Sequence, residues 1–155
     1  MKTNYMEVKF KAVSENESFA RTCVASFCLQ LSPNINELND IKTAVSEAVT
    51  NAVVHAYPNK IGDITVRAEI YGNLFTVIVS DEGVGIEDFS KAREPFYTTK
   101  PEEERSGMGF AIMESFMDNL VLRKNNGKGL CVVLTKKISE KRSLVGEECS
   151  CLQRL

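Results

Sequence analysis

Three short stretches of the chain carry side chains or bare backbone that could do chemistry. Glu47 and Asn51, a carboxylate and a carboxamide, are four residues apart, so on a helix they point the same way. In Asp81-Glu82-Gly83-Val84-Gly85, a carboxylate ends an apolar run and two glycines follow it. In Gly107-Met108-Gly109, two glycines stand at the start of a predicted helix. Each stretch alone also fits an ordinary structure: polar residues at the water line, a strand-to-loop turn and a flexible helix start.

Together, the three stretches indicate a nucleotide site. Asp81 could accept a hydrogen bond from an adenine amino group, and glycines beside it would let the backbone approach a ligand closely. The amides of residues 107–109, at a helix N-terminus, could hold phosphates. Asn51 could supply an oxygen to Mg²⁺, and Glu47 could take the proton of an attacking hydroxyl. Since the sequence has neither a P-loop nor the HRD and DFG sequences of protein kinases, it favours an ATP site of another design.

The elements that must position these residues follow from the periodicity of the sequence. Alternation of apolar and polar residues predicts strands, and apolar residues spaced three and four apart predict helices. Strands are expected at residues 6–12, 63–70, 74–80, 120–123 and 130–136, with hairpin turns at Gly72-Asn73 and at residues 125–129. Helices are expected at residues 14–31, at 35–57 and from 106 onward, and Ser32-Pro33-Asn34 breaks the first of them. Residues 81–105 form a long, charged and poorly periodic segment, which is typical of a functional lid.

Side-chain spacing adds detail to the three helices. Ser14 and Glu17 have the spacing of a capping box, and Glu17 and Arg21 have that of an exposed ion pair. The single histidine, His55, falls inside the apolar arc of the second helix, so we expect it to be packed and hydrogen-bonded. In the third helix, helical spacing extends over Phe110, Met113, Phe116, Met117 and Leu120.

Composition limits the class of protein. With 155 residues, 43% of them hydrophobic and 26% charged, the chain fits one soluble domain with a proper core. A formal net charge of -2 gives no reason to expect nucleic-acid or membrane binding, and no apolar run approaches the roughly 20 residues of a membrane helix. The five cysteines lack zinc spacing, which favours reduced thiols and a cytoplasmic protein, with Cys23, Cys28 and Cys131 packed as small hydrophobic residues. We expect one ATP-binding domain over residues 1–138 and a disordered tail over residues 139–155.

The amino-acid sequences of three segments resemble those of a known family. The segments are SENESFAR at residues 14–21, VSEAVTNA at 45–52 and TTKP followed by ERSGMGF at 98–110. They resemble the gyrase/Hsp90/histidine-kinase/MutL ATPase superfamily and, within it, the anti-sigma F factors of spore-forming bacteria, over about residues 6–137. The resemblance implies an α+β fold, a two-layer α/β sandwich in which a mixed, mainly antiparallel sheet is covered by three helices on one face.

The resemblance also implies an activity and partners. Family members hold a sporulation sigma factor when ATP is bound, and they use Mg²⁺ and ATP to phosphorylate a serine of an anti-anti-sigma protein. They work as homodimers, and no direct contact with nucleic acid or membrane is implied. Matched residue by residue, the resemblance implies that Glu47 is the general base, Asn51 the Mg²⁺ ligand and Asp81 the adenine acceptor, with Gly83 and Gly85 beside the base. The implied lid residues near the phosphates are Thr98, Thr99, Lys100 and Arg105, and the implied phosphate-binding helix start is Gly107, Met108 and Gly109. The implied partner-contacting residues are Glu17 and Arg21.

Three rival interpretations remain open on the sequence. A sister anti-sigma kinase of a general-stress sigma factor would have the same fold and chemistry. A detached histidine-kinase catalytic domain would need a phospho-acceptor helical hairpin, for which one sandwich of 155 residues leaves no space. A protein that binds ATP without transferring phosphate would not need Glu47, since Asn51 and Asp81 would suffice for binding.

Overall fold

The computed structural model describes residues 1, 3–94 and 108–140 of the chain. The expected lid residues Thr98, Thr99, Lys100 and Arg105, the helix-start residue Gly107 and the tail beyond residue 140 lie outside this part. The strands are β1 (Thr3–Lys11), β2 (Asp63–Tyr71), β3 (Leu74–Asp81), β4 (Asn119–Lys124) and β5 (Leu130–Lys137). The helices are α1 (Glu15–Cys28), α2 (Ile35–Asn51), α3 (Phe89–Ala92) and α4 (Gly109–Phe116), with a 3-10 turn at Leu29–Leu31 and a π-helical turn at Ala52–Ala56.

The strands form one sheet in the order β1-β2-β3-β5-β4. The predicted hairpin turn at Gly72 and Asn73 is confirmed, because β2 and β3 pair up to Tyr71 opposite Leu74, and Gly72 has a φ of 61°. All four strand pairings among the described residues are antiparallel, so the expectation of a mixed sheet was wrong. The short hairpins β2–β3 and β4–β5 account for two of these pairings, since a tight turn joins only antiparallel strands.

The sheet and the helices make the two layers that the sequence predicts. Alternate residues of β2 are fully buried, among them Ile64 and Val66. The predicted apolar arc of α2 is buried against this face, and Ile41, Val45 and Val49 have no exposed surface. Burying each such side chain is worth about 1.5–3 kcal/mol, so this seam fixes α2 on the sheet. No helix within the described ranges is long and apolar enough to cross a membrane.

Helix α1 begins without the predicted capping box. Ser14 has helical backbone angles (φ -60°, ψ -31°) and makes no side-chain cap bond, because an N-cap side chain reaches the helix amides from an extended backbone. The Glu17 carboxylate accepts a hydrogen bond from Thr50 Oγ1 at 3.1 Å, across to α2. The capping-box expectation for Ser14 and Glu17 was therefore wrong, and Glu17 links two helices.

A capping box is present at the start of α2, where the sequence analysis had seen only a helix break. Asn34 is extended, and its Oδ1 accepts from the Glu37 amide at 2.9 Å while Glu37 Oε2 accepts from the Asn34 amide at 2.8 Å. Glu37 Oε1 accepts from the Ser139 amide at 2.8 Å and from its hydroxyl at 2.6 Å. Burial alone would raise the pKa of Glu37, but these hydrogen bonds and the nearby Lys136 hold that pKa below its usual value. Ser139, placed in the tail by the sequence analysis, is thus hydrogen-bonded to the domain.

Two helices end differently from the prediction. The single helix expected over residues 35–57 is α-helical only to Asn51 and continues as the π-helical turn. Helix α4 ends at Phe116, because Met117 is extended (φ -107°, ψ 155°) and Leu120 already belongs to β4. Met117 and Leu120 are nevertheless buried, 5% and 6% exposed: Met117 lies in the bend after α4 and Leu120 in β4, and both belong to the same core as the helix.

The segment after β3 contains a short helix that the sequence analysis missed. Asp88 caps α3 by accepting from the Lys91 amide at 3.1 Å.

Among the described cysteines, Cys23, Cys28 and Cys131 are free thiols, and Cys28 is completely buried. Burial raises the pKa of the Cys28 thiol to about 12, so it packs as a small hydrophobic residue, as predicted.

Candidate functional site

A buried carboxylate stands at the end of the central strand β3. Asp81 is 4% exposed, and its Oδ1 accepts from the Gly83 amide at 2.9 Å and from the Leu130 amide at 3.2 Å. Within the described residues, Oδ2 has no hydrogen-bond partner. Burial raises the pKa of the Asp81 carboxyl, although the two amide hydrogen bonds act in the opposite direction. A buried acceptor with one satisfied and one open oxygen suits a ligand that donates a hydrogen bond.

The glycines after Asp81 are required by close backbone contacts. A Cβ on Gly83 would lie 2.0 Å from the Ala56 carbonyl oxygen, in the π-helical turn. Gly85 has a φ of 71°, and a Cβ there would lie 2.9 Å from the Gly129 carbonyl oxygen. The Val84 amide donates to the Ala56 carbonyl at 2.9 Å. From the sequence, these glycines are expected to let the backbone approach a ligand. In the described structure, their close neighbours are instead the π-helical turn after α2 and the β4–β5 hairpin.

Residues of the β4–β5 hairpin complete the surroundings of Asp81. Asn125 Nδ2 donates to the Asp81 carbonyl oxygen at 2.8 Å. A Cβ on Gly129 would lie 2.1 Å from the same oxygen. From the sequence, residues 125–129 are predicted only as a hairpin turn. A glycine-rich turn with two asparagines gave no signal that it would contact a strand end 44 positions earlier.

Tyr57, which the sequence analysis took only as the end of a helix, lies on the other side of this strand end. Its hydroxyl accepts from the Glu82 amide at 2.8 Å and donates to the Asp63 carbonyl at 2.6 Å. The π-helical turn directly precedes Tyr57, and π turns inside helices are frequent at functional sites. Through Ala56 and Tyr57, the C-terminal end of α2 is fastened to the turn that follows Asp81.

Glu47 and Asn51 lie beside the start of α4. Both side chains are half-buried on α2, and Gly109 is the first residue of α4. A Cβ on Gly109 would lie 3.0 Å from Asn51 Oδ1 and 3.3 Å from Glu47 Oε2. Met108, just before the helix, has no side-chain cap bond, and its carbonyl accepts from the Ile112 amide at 2.9 Å. A carboxylate, a carboxamide oxygen and the N-terminal end of a helix therefore share one small region.

The expected partner-binding residues on α1 face this region of α2. Arg21 donates to Ser46 Oγ at 3.2 Å and to Ser18 Oγ at 3.3 Å, while Glu17 accepts from Thr50. Arg21 thus bonds to hydroxyls, and no acidic partner neutralises its charge within the described ranges. The predicted ion pair between Glu17 and Arg21 is replaced by two bridges from α1 to α2.

The site residues can be tested against the groups that the resemblance implies. Asp81 has the open oxygen that a purine amino group would need. Asn51 offers a hard oxygen, and Mg²⁺ in nucleotide sites takes one or two protein ligands beside substrate phosphates. No group of three or more His, Cys, Asp or Glu within the described ranges could hold a metal by itself. The Asn51 oxygen, beside the start of α4, fits a metal that is bound together with a nucleotide.

Comparisons with known proteins agree with this geometry. Residues 10–136 match the family model of the histidine kinase-like ATPase domain. The chain is 58% identical over 139 residues to an anti-sigma F factor of Caldanaerobacter subterraneus subsp. tengcongensis, covering 90% of this chain and 97% of that protein. It is 54% identical over 139 residues to the anti-sigma F factor of Clostridium acetobutylicum, with the same coverage of both chains. Over 146 residues, it is 51% identical to that of Pasteuria penetrans, covering 93% of this chain and 97% of the other.

One solved structure shares the fold. The crystal structure of the RsbU and RsbW domains of Rv1364c from Mycobacterium tuberculosis matches with a TM-score of 0.64 at 19% identity. The match covers 88% of this chain, which spans 32% of that longer chain. At this identity the likeness concerns the fold alone, and it agrees with the antiparallel sheet and helical layer described above.

Proposed function

We infer that the chain is an anti-sigma factor that binds nucleotide, because it belongs to the anti-sigma F factor family of histidine kinase-like ATPase domains. We further propose that it holds a sporulation sigma factor when ATP is bound. In the same proposal, it uses Mg²⁺ and ATP as a serine kinase that phosphorylates an anti-anti-sigma protein. The unphosphorylated form of that protein would displace the sigma factor.

The observation that carries this proposal is the Asp81 carboxylate. It is 4% exposed, and Oδ2 remains without a partner among the described residues while Oδ1 has two amide donors. A buried, charged acceptor that lacks a partner is costly, and a donor from a ligand offsets that cost. The amino group at position 6 of adenine is such a donor, whereas guanine and inosine carry an oxygen there.

Phosphate transfer is assigned to the region between α2 and α4. Asn51 would hold Mg²⁺ together with the nucleotide phosphates, and the bound metal would neutralise charge on them. Glu47 would take the proton of the partner's serine hydroxyl. The serine oxygen would then bond to the terminal phosphorus of ATP, and ADP would leave. The proximity of both side chains to Gly109 supports this assignment, since the first amides of α4 then face the same region. Gly107, Thr98, Thr99, Lys100 and Arg105 remain proposed phosphate and lid residues.

Partner binding is assigned to α1. The Arg21 guanidinium is held by two hydroxyls, and no acidic side chain in the described part of the chain neutralises its charge, which suits an acidic group on a partner. Arg21 donates to Ser46, which directly precedes Glu47 in α2. Glu17 accepts from Thr50, which directly precedes Asn51. A partner bound at α1 would therefore lie close to the residues assigned to transfer.

Two further proposals concern assembly and location. On the face of the sheet away from the helices, Ile78, Val133 and Val121 lie side by side in one cross-strand row. Val121, 40% exposed on the edge strand β4, leaves an apolar side chain of this row at the surface, which supports the proposal that two copies of the chain form a homodimer. The free thiols Cys23 and Cys131 support a location in the reducing cytoplasm.

Replacing Arg21 by alanine tests the anti-sigma function. We expect affinity for the sigma factor, measured by titration calorimetry in the presence of Mg²⁺ and ATP, to fall at least about tenfold, as for a charged residue at the centre of an interface. ATP affinity of the free protein should stay within about twofold, because the hydrogen bonds of Arg21 among the described residues go to Ser18 and Ser46 and not to the proposed nucleotide site.

The matched control is Arg123→Ala, which removes an exposed arginine of β4. We expect this variant to bind the sigma factor like the wild type. Sigma-factor binding that Arg21→Ala leaves unchanged, or an equal loss of ATP affinity, would show that Arg21 is a structural residue of the α1–α2 contact.

A further inference from the structure

One peptide unit beside the candidate adenine site is held by side chains at both of its polar groups. This is the unit that joins Asp81 to Glu82. Its carbonyl oxygen accepts from Asn125 Nδ2 at 2.8 Å, and its amide donates to the Tyr57 hydroxyl at 2.8 Å. Tyr57 and Asn125 come from opposite sides, 25 residues before Glu82 and 44 residues after Asp81. We call this pair of contacts the peptide clamp.

Both members of the peptide clamp are themselves fixed. The Tyr57 hydroxyl donates to the Asp63 carbonyl at 2.6 Å, and the tyrosine ring fills the space over Gly62, where a Cβ would lie 2.1 Å from a ring carbon. The Asn125 carbonyl accepts from the Lys128 amide at 2.9 Å, which closes the hairpin turn. The Tyr57 side chain cannot move without breaking its bond to Asp63, and the hairpin turn fixes the backbone that carries Asn125, so the fold sets the orientation of the peptide unit.

That orientation decides where the Asp81 carboxylate points. Rotation of the peptide unit after Asp81 is the backbone torsion ψ of Asp81 itself. Such a rotation would carry the Glu82 and Gly83 amides with it, and Gly83 is one of the two donors to Oδ1. With the peptide unit fixed, Oδ1 keeps its donors at Gly83 and Leu130, and Oδ2, which has no donor among the described residues, is left to accept from a ligand.

We propose that Tyr57 and Asn125 are positioning residues for base selection: they hold the Asp81–Glu82 peptide so that Asp81 distinguishes a purine with an amino group at position 6 from one with an oxygen there. This inference rests on the proposed nucleotide-binding function. Neither residue touches the base in this scheme, and both act through Asp81. Loosening the peptide unit would let the carboxylate turn away from the base, so ATP would lose more affinity than inosine triphosphate and the selectivity would fall.

The test is the ratio of dissociation constants for inosine triphosphate and ATP, measured by calorimetry with Mg²⁺ on the full chain. For the wild type we expect at least about 30-fold preference for ATP, since a site built for a hydrogen-bond donor strongly rejects an analogue without it. For Tyr57→Phe and for Asn125→Ala we expect the ratio to fall about fivefold, with ATP affinity about tenfold weaker. A merely structural role would weaken both nucleotides equally and leave the ratio unchanged.

Matched controls are Tyr71→Phe and Asn39→Ala, which make the same chemical changes at exposed positions. Both should keep the wild-type ratio. Tyr57→Phe keeps the ring over Gly62, so we expect it to fold; if it does not, Asn125→Ala decides alone. A wild-type ratio retained in the clamp variants would overturn the clamp but not ATP binding. Equal binding of both nucleotides by the wild type would overturn base selection by Asp81, and binding of neither would overturn the proposed function as well.

Discussion

Replacing Glu47 by glutamine is expected to slow phosphate transfer to the partner serine by at least about a hundredfold, the usual contribution of a general base. Glutamine has the shape of glutamate but cannot take the proton of the serine hydroxyl. ATP affinity should stay within about twofold of the wild-type value. In the proposal, Asp81 contacts the adenine, and Asn51 and the start of α4 bind the phosphates with Mg²⁺. The measurement is single-turnover transfer of labelled phosphate, together with calorimetric titration of ATP.

The control for this variant is Glu140→Gln, at an exposed position near the end of the described chain. It makes the same change in charge and should transfer phosphate at the wild-type rate. Transfer by Glu47→Gln within about threefold of wild type would remove Glu47 as the base. In that case the contact of Glu47 with the Gly109 region would be a packing contact only.

Replacing Asp81 by asparagine should weaken ATP binding by about 10- to 100-fold, the range expected when a hydrogen bond to a charged group is lost. The asparagine oxygen can keep the amide hydrogen bonds from Gly83 and Leu130, so its amino group would take the position of Oδ2. A donor would then face the amino group of adenine, which is also a donor. Calorimetric titration with ATP measures the loss.

The same substitution should improve binding of inosine triphosphate, because the new amino group can donate to the oxygen at position 6 of that base. The preference for ATP should therefore shrink strongly or reverse. This reversal separates a direct contact from general damage to the fold, which would weaken both nucleotides. Normal ATP binding by Asp81→Asn would exclude Asp81 from the base contact.

Local sequence patterns predicted the frame of the site well. Alternation and the turn at Gly72 and Asn73 predicted the central hairpin, which delivers Asp81 to the end of β3. Helical periodicity placed Glu47 and Asn51 on one side of α2, and the glycine before Phe110 predicted the start of a helix close to them. These features depend on residues that are near one another in sequence, and periodicity records such relations directly.

Features that depend on competing local patterns were less predictable. Ser14 with Glu17 and Asn34 with Glu37 have the same spacing, yet only the second pair forms a capping box. The choice depends on whether the first residue is extended, and tertiary contacts decide this: the Glu17 carboxylate reaches Thr50 on another helix. The early end of α4 has a similar cause, because a buried strand can follow a helix without any break in the apolar spacing.

The contacts that hold Asp81 could not be predicted at all from local patterns. Tyr57 and Asn125 look like a helix end and a turn residue, and they reach the strand end only in the folded chain. Each forms hydrogen bonds with the backbone, so the chemical nature of its partner residue leaves no mark on the sequence. A single sequence therefore predicted the carboxylate but not the residues that orient it.

The measurement that tests the central claim most directly is an incubation of the full chain with Mg²⁺, γ-labelled ATP and the anti-anti-sigma protein. We expect label on one serine of that partner, none on His55, and at least about a hundredfold less transfer with Glu47→Gln. If ATP binds with the predicted preference but no partner serine is labelled, the protein is not a serine kinase. It would then be an anti-sigma factor whose binding responds to the nucleotide without phosphate transfer.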